Sequence, residues 1–199
     1  MRQHNLHVLL AVAGIAGIAG IFLPFTWDIS PMVVMGEKQM WMLGFPFFLS
    51  VAVAAASTQW IISGSFSRLE SAIAYVVSGS TTCLTLAFIA RFLFDENGGQ
   101  LKLIEWVAVI TAVGVLTLGA YLVIRVWRTV NLIGFRPLMA LQVAYLGNAA
   151  FCLITFFDWP GWQAGAYLAL TAAIAYLLQI ILVYVQSRAA SIPRSMCRR

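Results

Sequence analysis

Polar residues in this chain come in short clusters, and between them run long stretches that are apolar without interruption. Continuous apolarity, rather than strict alternation, predicts helices and not the strands of a barrel. A helix needs about 20 predominantly apolar residues to cross a bilayer core. Six segments meet that requirement, at about 7–26, 40–63, 70–94, 103–125, 137–157 and 164–187. The connections carry turn chemistry: Asp28 to Lys38, Gly64 to Arg68, Asp95 to Gly99, Arg128 to Pro137, and Asp158 to Gly161. No connection is long enough to separate domains. The expected fold is all-α: a polytopic membrane bundle of six transmembrane helices, forming one integral membrane domain over residues 1–199. Arg2 and the apolar run behind it have the look of a secretory signal, but the run is too long for a signal core and reads as the first span.

Composition agrees with this pattern. Of 199 residues 62% are hydrophobic and 10% are charged, with a mean hydropathy of +0.91. A soluble domain carries about 25% charged residues, and a chain of this size has no interior able to hide so much apolar surface. A soluble domain, a disordered tail and a secreted disulfide scaffold are excluded. The net charge of +5 is unevenly placed. With six spans, Lys38, Arg91 and Lys102 fall on one face, and every other basic residue falls on the face that holds both termini. Basic residues mark the cytoplasmic side, so both termini are expected there. The acids separate the other way, with Glu70 inside and the remaining Asp and Glu outside. Trp27, Trp41, Trp106, Trp159 and Trp162 gather at the outer boundary, as interfacial anchors or as a lipid or partner surface. The basic tail from Arg188 to Arg199 is expected to lie on anionic lipid rather than nucleic acid.

The chemistry of most membrane enzymes is missing. His4 and His7 stand at the start of the first span, so no pair of histidines can hold a transmembrane haem. Cys83, Cys152 and Cys197 are too few and too scattered for a disulfide framework or a zinc site. Ser78-Gly-Ser80 has no histidine placed to activate a serine. Met32, Met35, Met40 and Met42 are soft enough for Cu(I), but read as packing residues. The expectation is no catalysis, no cofactor and no metal.

What remains is packing and polarity inside the spans. Ala13, Gly17 and Gly20 form a small-residue seam that lets helices approach closely, either within the bundle or against another subunit. The third span carries Ser71, Tyr75, Ser78, Thr82 and Thr85 on one expected face. The fifth carries Gln142, Tyr145, Asn148, Cys152 and Thr155, and the sixth carries Tyr167, Thr171 and Gln179. Ser78, Thr82, Gln142, Asn148 and Thr171 are the candidates for an interhelical network or a small polar path. Asn148 is expected to be buried and paired with the Ser78/Thr82 face. Arg91 and Glu105, equidistant from the tip at Gly98, are expected to pair, with Asp95 competing for Arg91. These features point to a non-catalytic integral membrane subunit or assembly component of a larger membrane complex. The alternative is a small-solute channel or transporter lined by the polar faces of the third, fifth and sixth spans.

Overall fold

A computed structural model describes residues 3–24, 49–94, 103–127, 134–155 and 163–191. These residues form six α-helices: α1 (Gln3–Phe22), α2 (Leu49–Ser63), α3 (Arg68–Phe94), α4 (Leu103–Trp127), α5 (Arg136–Thr155) and α6 (Ala164–Ser191). Four contain stretches long and apolar enough to cross a membrane: Arg68–Ala90, Trp106–Ile124, Arg136–Ile154 and Ala164–Val185. The described parts of α1 and α2 contribute shorter apolar stretches, His7–Phe22 and Leu49–Ser63.

Local chemistry sets the corner between α2 and α3. Gly64 has a φ of 65°, the left-handed conformation that a Cβ disfavours, and its N–H donates to the Trp60 carbonyl at 2.9 Å. That bond closes the last turn of α2. Three residues on, Ser67 and Glu70 form a reciprocal capping box. The Ser67 N–H donates to Glu70 Oε2 at 2.7 Å, and the Glu70 N–H donates to Ser67 Oγ at 3.2 Å. The start of α3 is therefore written in four consecutive residues.

Four of the other helices pack around α5. It packs most extensively on α4, then on α3, and also on α6 and α2. In the stretch Arg136–Ile154, 83% is buried, against 28% in each of Arg68–Ala90 and Trp106–Ile124. Although α3 and α4 both lean on α5, they touch each other little. On the opposite side α1 lies against both α6 and α2. Its Ala13 is fully buried, and Gly17 and Gly20 are buried with it. A Cβ on Gly17 would stand 3.3 Å from Ser50 Cβ and 3.7 Å from Ala172 Cβ, and one on Gly20 would stand 3.2 Å from the Gly165 carbonyl. The Gly165 N–H in turn donates to the Pro24 carbonyl at 2.8 Å, which ties the end of α1 to the start of α6. The seam on α1 is thus filled by α2 and α6.

At the end where α2 stops and α5 starts, Trp60 meets Phe135 edge-on (centroids 5.1 Å apart) and stacks on Phe66 at 5.9 Å. The side chains of Arg91 and Glu105, and the whole of Asp95, lie outside the described residues, as do Trp27, Trp41, Trp159 and Trp162 and the methionines of 32–42.

Candidate functional site

Several hydroxyls of the helices are consumed locally. Ser57 donates to the Val53 carbonyl at 2.7 Å, Thr81 to Val77 at 2.7 Å, and Ser78 to Tyr75 at 3.1 Å. A hydroxyl that bonds back to its own helix can face an apolar neighbour without an orphaned donor. The amides and phenols cannot do this, because their reach takes them past their own backbone. Among the described residues, the buried amides and phenols meet in two places, both on α5.

The first is a ladder between α5 and α3. Asn148 Nδ2 donates to Thr85 Oγ1 at 3.3 Å, and Thr85 Oγ1 donates onward to the Thr81 carbonyl at 2.9 Å. Cys152 Sγ approaches Asn148 Oδ1 at 3.9 Å. The buried stripe of α3 runs through Ala74, Ser78, Thr81, Thr85 and Ile89, whereas Thr82 is half-buried. The partner of Asn148 is therefore Thr85, one turn beyond the Ser78/Thr82 position expected for it. Phe88 and Phe151 close the ladder edge-on, with centroids 5.5 Å apart.

The second is a junction among α2, α5 and α6. Gln142 Nε2 donates to Gln179 Oε1, and both side chains are 0% exposed. One turn along α5, Tyr145 donates through its phenol to the Ala169 carbonyl at 3.3 Å and meets Tyr176 edge-on with centroids 5.4 Å apart. Ser50 adjoins the Tyr145 hydroxyl, and Ser57 adjoins that of Tyr176. The junction is not saturated: Gln142 Oε1 and Gln179 Nε2 are buried with no hydrogen-bond partner. Gly17 of α1 closes it from behind, against Ser50 and Ala172.

The five candidates for a polar path are thus divided. Asn148 and Ser78 belong to the α3 contact, Gln142 belongs to the junction, and Thr82 stands beside the ladder. Thr171 is exposed on the outer face of α6, where its hydroxyl donates to the Tyr167 carbonyl at 2.8 Å. The residue of α6 that faces Gln142 is Gln179. Tyr176 and Ser50 complete the junction without having been candidates. One signal in the sequence does pair these elements: Gln142 with Tyr145, and Tyr176 with Gln179, repeat the same aromatic–amide spacing in opposite order on α5 and α6. Opposite order is what antiparallel neighbours require for side chains to meet at equal depth. Among the described residues no group of three or more His, Cys, Asp or Glu could hold a metal ion. The chain matches no known protein family, no curated protein and no solved structure.

Proposed function

We propose that the chain is a non-catalytic integral membrane subunit that receives a helix of another membrane protein on the outward face of α3. The observation carrying this reading is a second small-residue stripe, Gly79, Cys83 and Ala87, exposed at successive turns of α3. A Cβ added at Gly79 would meet nothing within 4 Å. Small residues that face lipid contribute little packing, whereas small residues that face a helix let two backbones approach closely. The seam on α1 offers no such surface, since α2 and α6 fill it. The solute-path alternative has less support, because Thr171 faces outward and Asn148 is engaged by Thr85.

The test is native mass spectrometry of the full chain extracted in mild detergent. The chain is expected to carry a partner subunit at fixed stoichiometry. Gly79→Phe is expected to release that subunit while the helical content and unfolding midpoint stay unchanged. A chain that travels alone in both forms overturns the reading.

The orientation belongs to the same proposal: six spans, both termini cytoplasmic, and the tail from Arg188 to Arg199 against anionic lipid. Its support is the separation of basic from acidic residues and the punctuation of the connections. Single cysteines introduced in place of Gln100 and Gly161 into a chain without native thiols are expected to label from outside, and those at Ser65 and Ser195 from inside. The reverse pattern would invert the orientation. Each tail arginine contributes about 1 kcal/mol at most to membrane attraction, so high salt is expected to weaken binding to anionic vesicles.

A further inference from the structure

We propose that the helix received on the outward face of α3 is α4 of a second copy of this chain, so that two copies join α3 to α4 twice about one axis. The inference rests on the docking reading and names the occupant of that face. On α3, Val76, Gly79, Cys83, Leu86 and Ala90 form one exposed row with spacings of three, four, three and four. On α4, Ile110, Gly114, Thr117, Tyr121 and Ile124 form another, with spacings of four, three, four and three. This alternation is the seam of two helices that cross at about 20° and interdigitate along their length. Both rows are turned away from α5, and α3 and α4 touch each other little within the chain. At 3.6 residues per turn each row is also turned toward the other helix, so the two share one side of the bundle.

Depth and size select the occupant. Thr85 of α3 meets Asn148 of α5, and Leu116 of α4 meets the neighbouring Gly147. Thr85 and Leu116 therefore stand at one depth, to within a residue, on helices that run in opposite directions. Counting away from that level puts Ala90 opposite Ile110, Leu86 opposite Gly114, Cys83 opposite Thr117, Gly79 opposite Tyr121 and Val76 opposite Ile124. At three of these five levels a small residue faces a large one, a hole for a knob. Copies inserted the same way in a bilayer are related by an axis along its normal, which keeps every residue at its own depth. The α3 of each copy then meets the α4 of the other, antiparallel and in this register, and the contact is isologous. The result is four helices of alternating direction around the axis. The extent also suffices. Val76, Leu86, Ile110, Tyr121 and Ile124 are each between 41% and 67% exposed, and covering the two rows on both copies removes on the order of 1,200 Å² from lipid, the size at which stable interfaces begin. A symmetric α3–α3 pair is the rival, but it sets Gly79 against another small residue and leaves the large row of α4 uncovered.

The test is disulfide trapping of the full chain in phosphatidylcholine–phosphatidylglycerol bilayers, oxidised with copper phenanthroline. Thr117→Cys is expected to give a covalent dimer, linked from Cys83 of one copy to the introduced thiol of the other and read by mass spectrometry of the joined peptides. Adding Cys83→Ala to Thr117→Cys is expected to abolish that link. Leu118→Cys, the next residue but off the row, is expected to link about tenfold less, because a disulfide forms only where the two Cα atoms come within about 7 Å. Equal linking of Thr117→Cys and Leu118→Cys, or a link from Cys83 to Cys83 in the unaltered chain, overturns the arrangement. No link in either variant, while native mass spectrometry finds a different subunit on the chain, overturns the second copy and leaves the docking reading standing. A chain with neither a link nor a companion overturns both.

Discussion

Between α4 and α5 the contact is dry and notched, while among α5, α2 and α6 it is polar and incomplete. On the dry side, Val143 of α5 sits where a Cβ of Gly119 would be, and Leu116 of α4 fills the corresponding notch at Gly147. Each helix thus offers one knob and one hole, in antiparallel register. On the polar side Gln142 and Gln179 bond once and leave two atoms over. Lipid tails are as apolar as leucine, so apolar burial does little to hold helices together in a membrane. Shape does it on the dry side, by bringing backbones close. On the other side direction does it, since a hydrogen bond selects one rotation of each helix. A notch tolerates no added atom, and an unsaturated polar junction tolerates no lost partner.

The largest effect is expected where an atom is added to the notches. Gly147→Ala and Gly119→Ala should each destabilise the bundle by about 1–3 kcal/mol through overpacking, measured by unfolding in mixed detergent micelles. Adding Leu116→Ala to Gly147→Ala should recover part of that loss, and no recovery would mean that the notch is not the origin of the effect. Next comes the junction. Gln142→Leu strands a buried amide on Gln179 and should cost about 1–3 kcal/mol, whereas Gln142→Leu with Gln179→Leu should cost less than the sum of the singles. Strict additivity would show that the two amides do not act as a pair.

Smaller losses are expected where one ordinary bond goes. Asn148→Leu removes the bond to Thr85, and Tyr145→Phe removes the bond to the Ala169 carbonyl. Each should cost about 0.6 kcal/mol, the average for interhelical bonds in membranes. The smallest change is the control within α4 itself. A Cβ on Gly114 meets nothing within 4 Å, so Gly114→Ala should stay within about 0.5 kcal/mol of the parent. An effect at Gly114 as large as that at Gly119 would remove the distinction between notch and open face.

How much of this was legible beforehand differs from residue to residue. The helices were, because long apolar runs in a bilayer leave the backbone no other way to bond itself. The starts of α3 to α6 were close to those expected, with α3 beginning at Arg68 and α5 at Arg136, whereas the expected start of α2 lies outside the described residues. The turn between α2 and α3 was legible as punctuation, and Gly64, Ser67 and Glu70 supply its mechanism. The candidate site was legible only in residue type. Asn148 was expected to turn inward and Gln142 to join a polar face, but Thr85, Gln179 and Tyr176 emerge as their company only from the packing.

The amino-acid sequence by itself determined that this chain is helical, roughly where most of its helices begin, and that buried amides and phenols in its interior need hydrogen-bond partners. Those outcomes depend on run length, capping and desolvation, which act within one helix or between one group and lipid. Only the tertiary structure decided how each helix is turned about its axis. It placed the small-residue stripe of α1 inside the bundle and that of α3 outside, and it chose Gln179 over Thr171 on α6. The physical reason is that helices apolar on nearly every face have no amphipathic asymmetry to specify a rotation. Their orientation is set instead by where a knob finds a hole and an amide finds a partner, and both depend on residues far away in the chain.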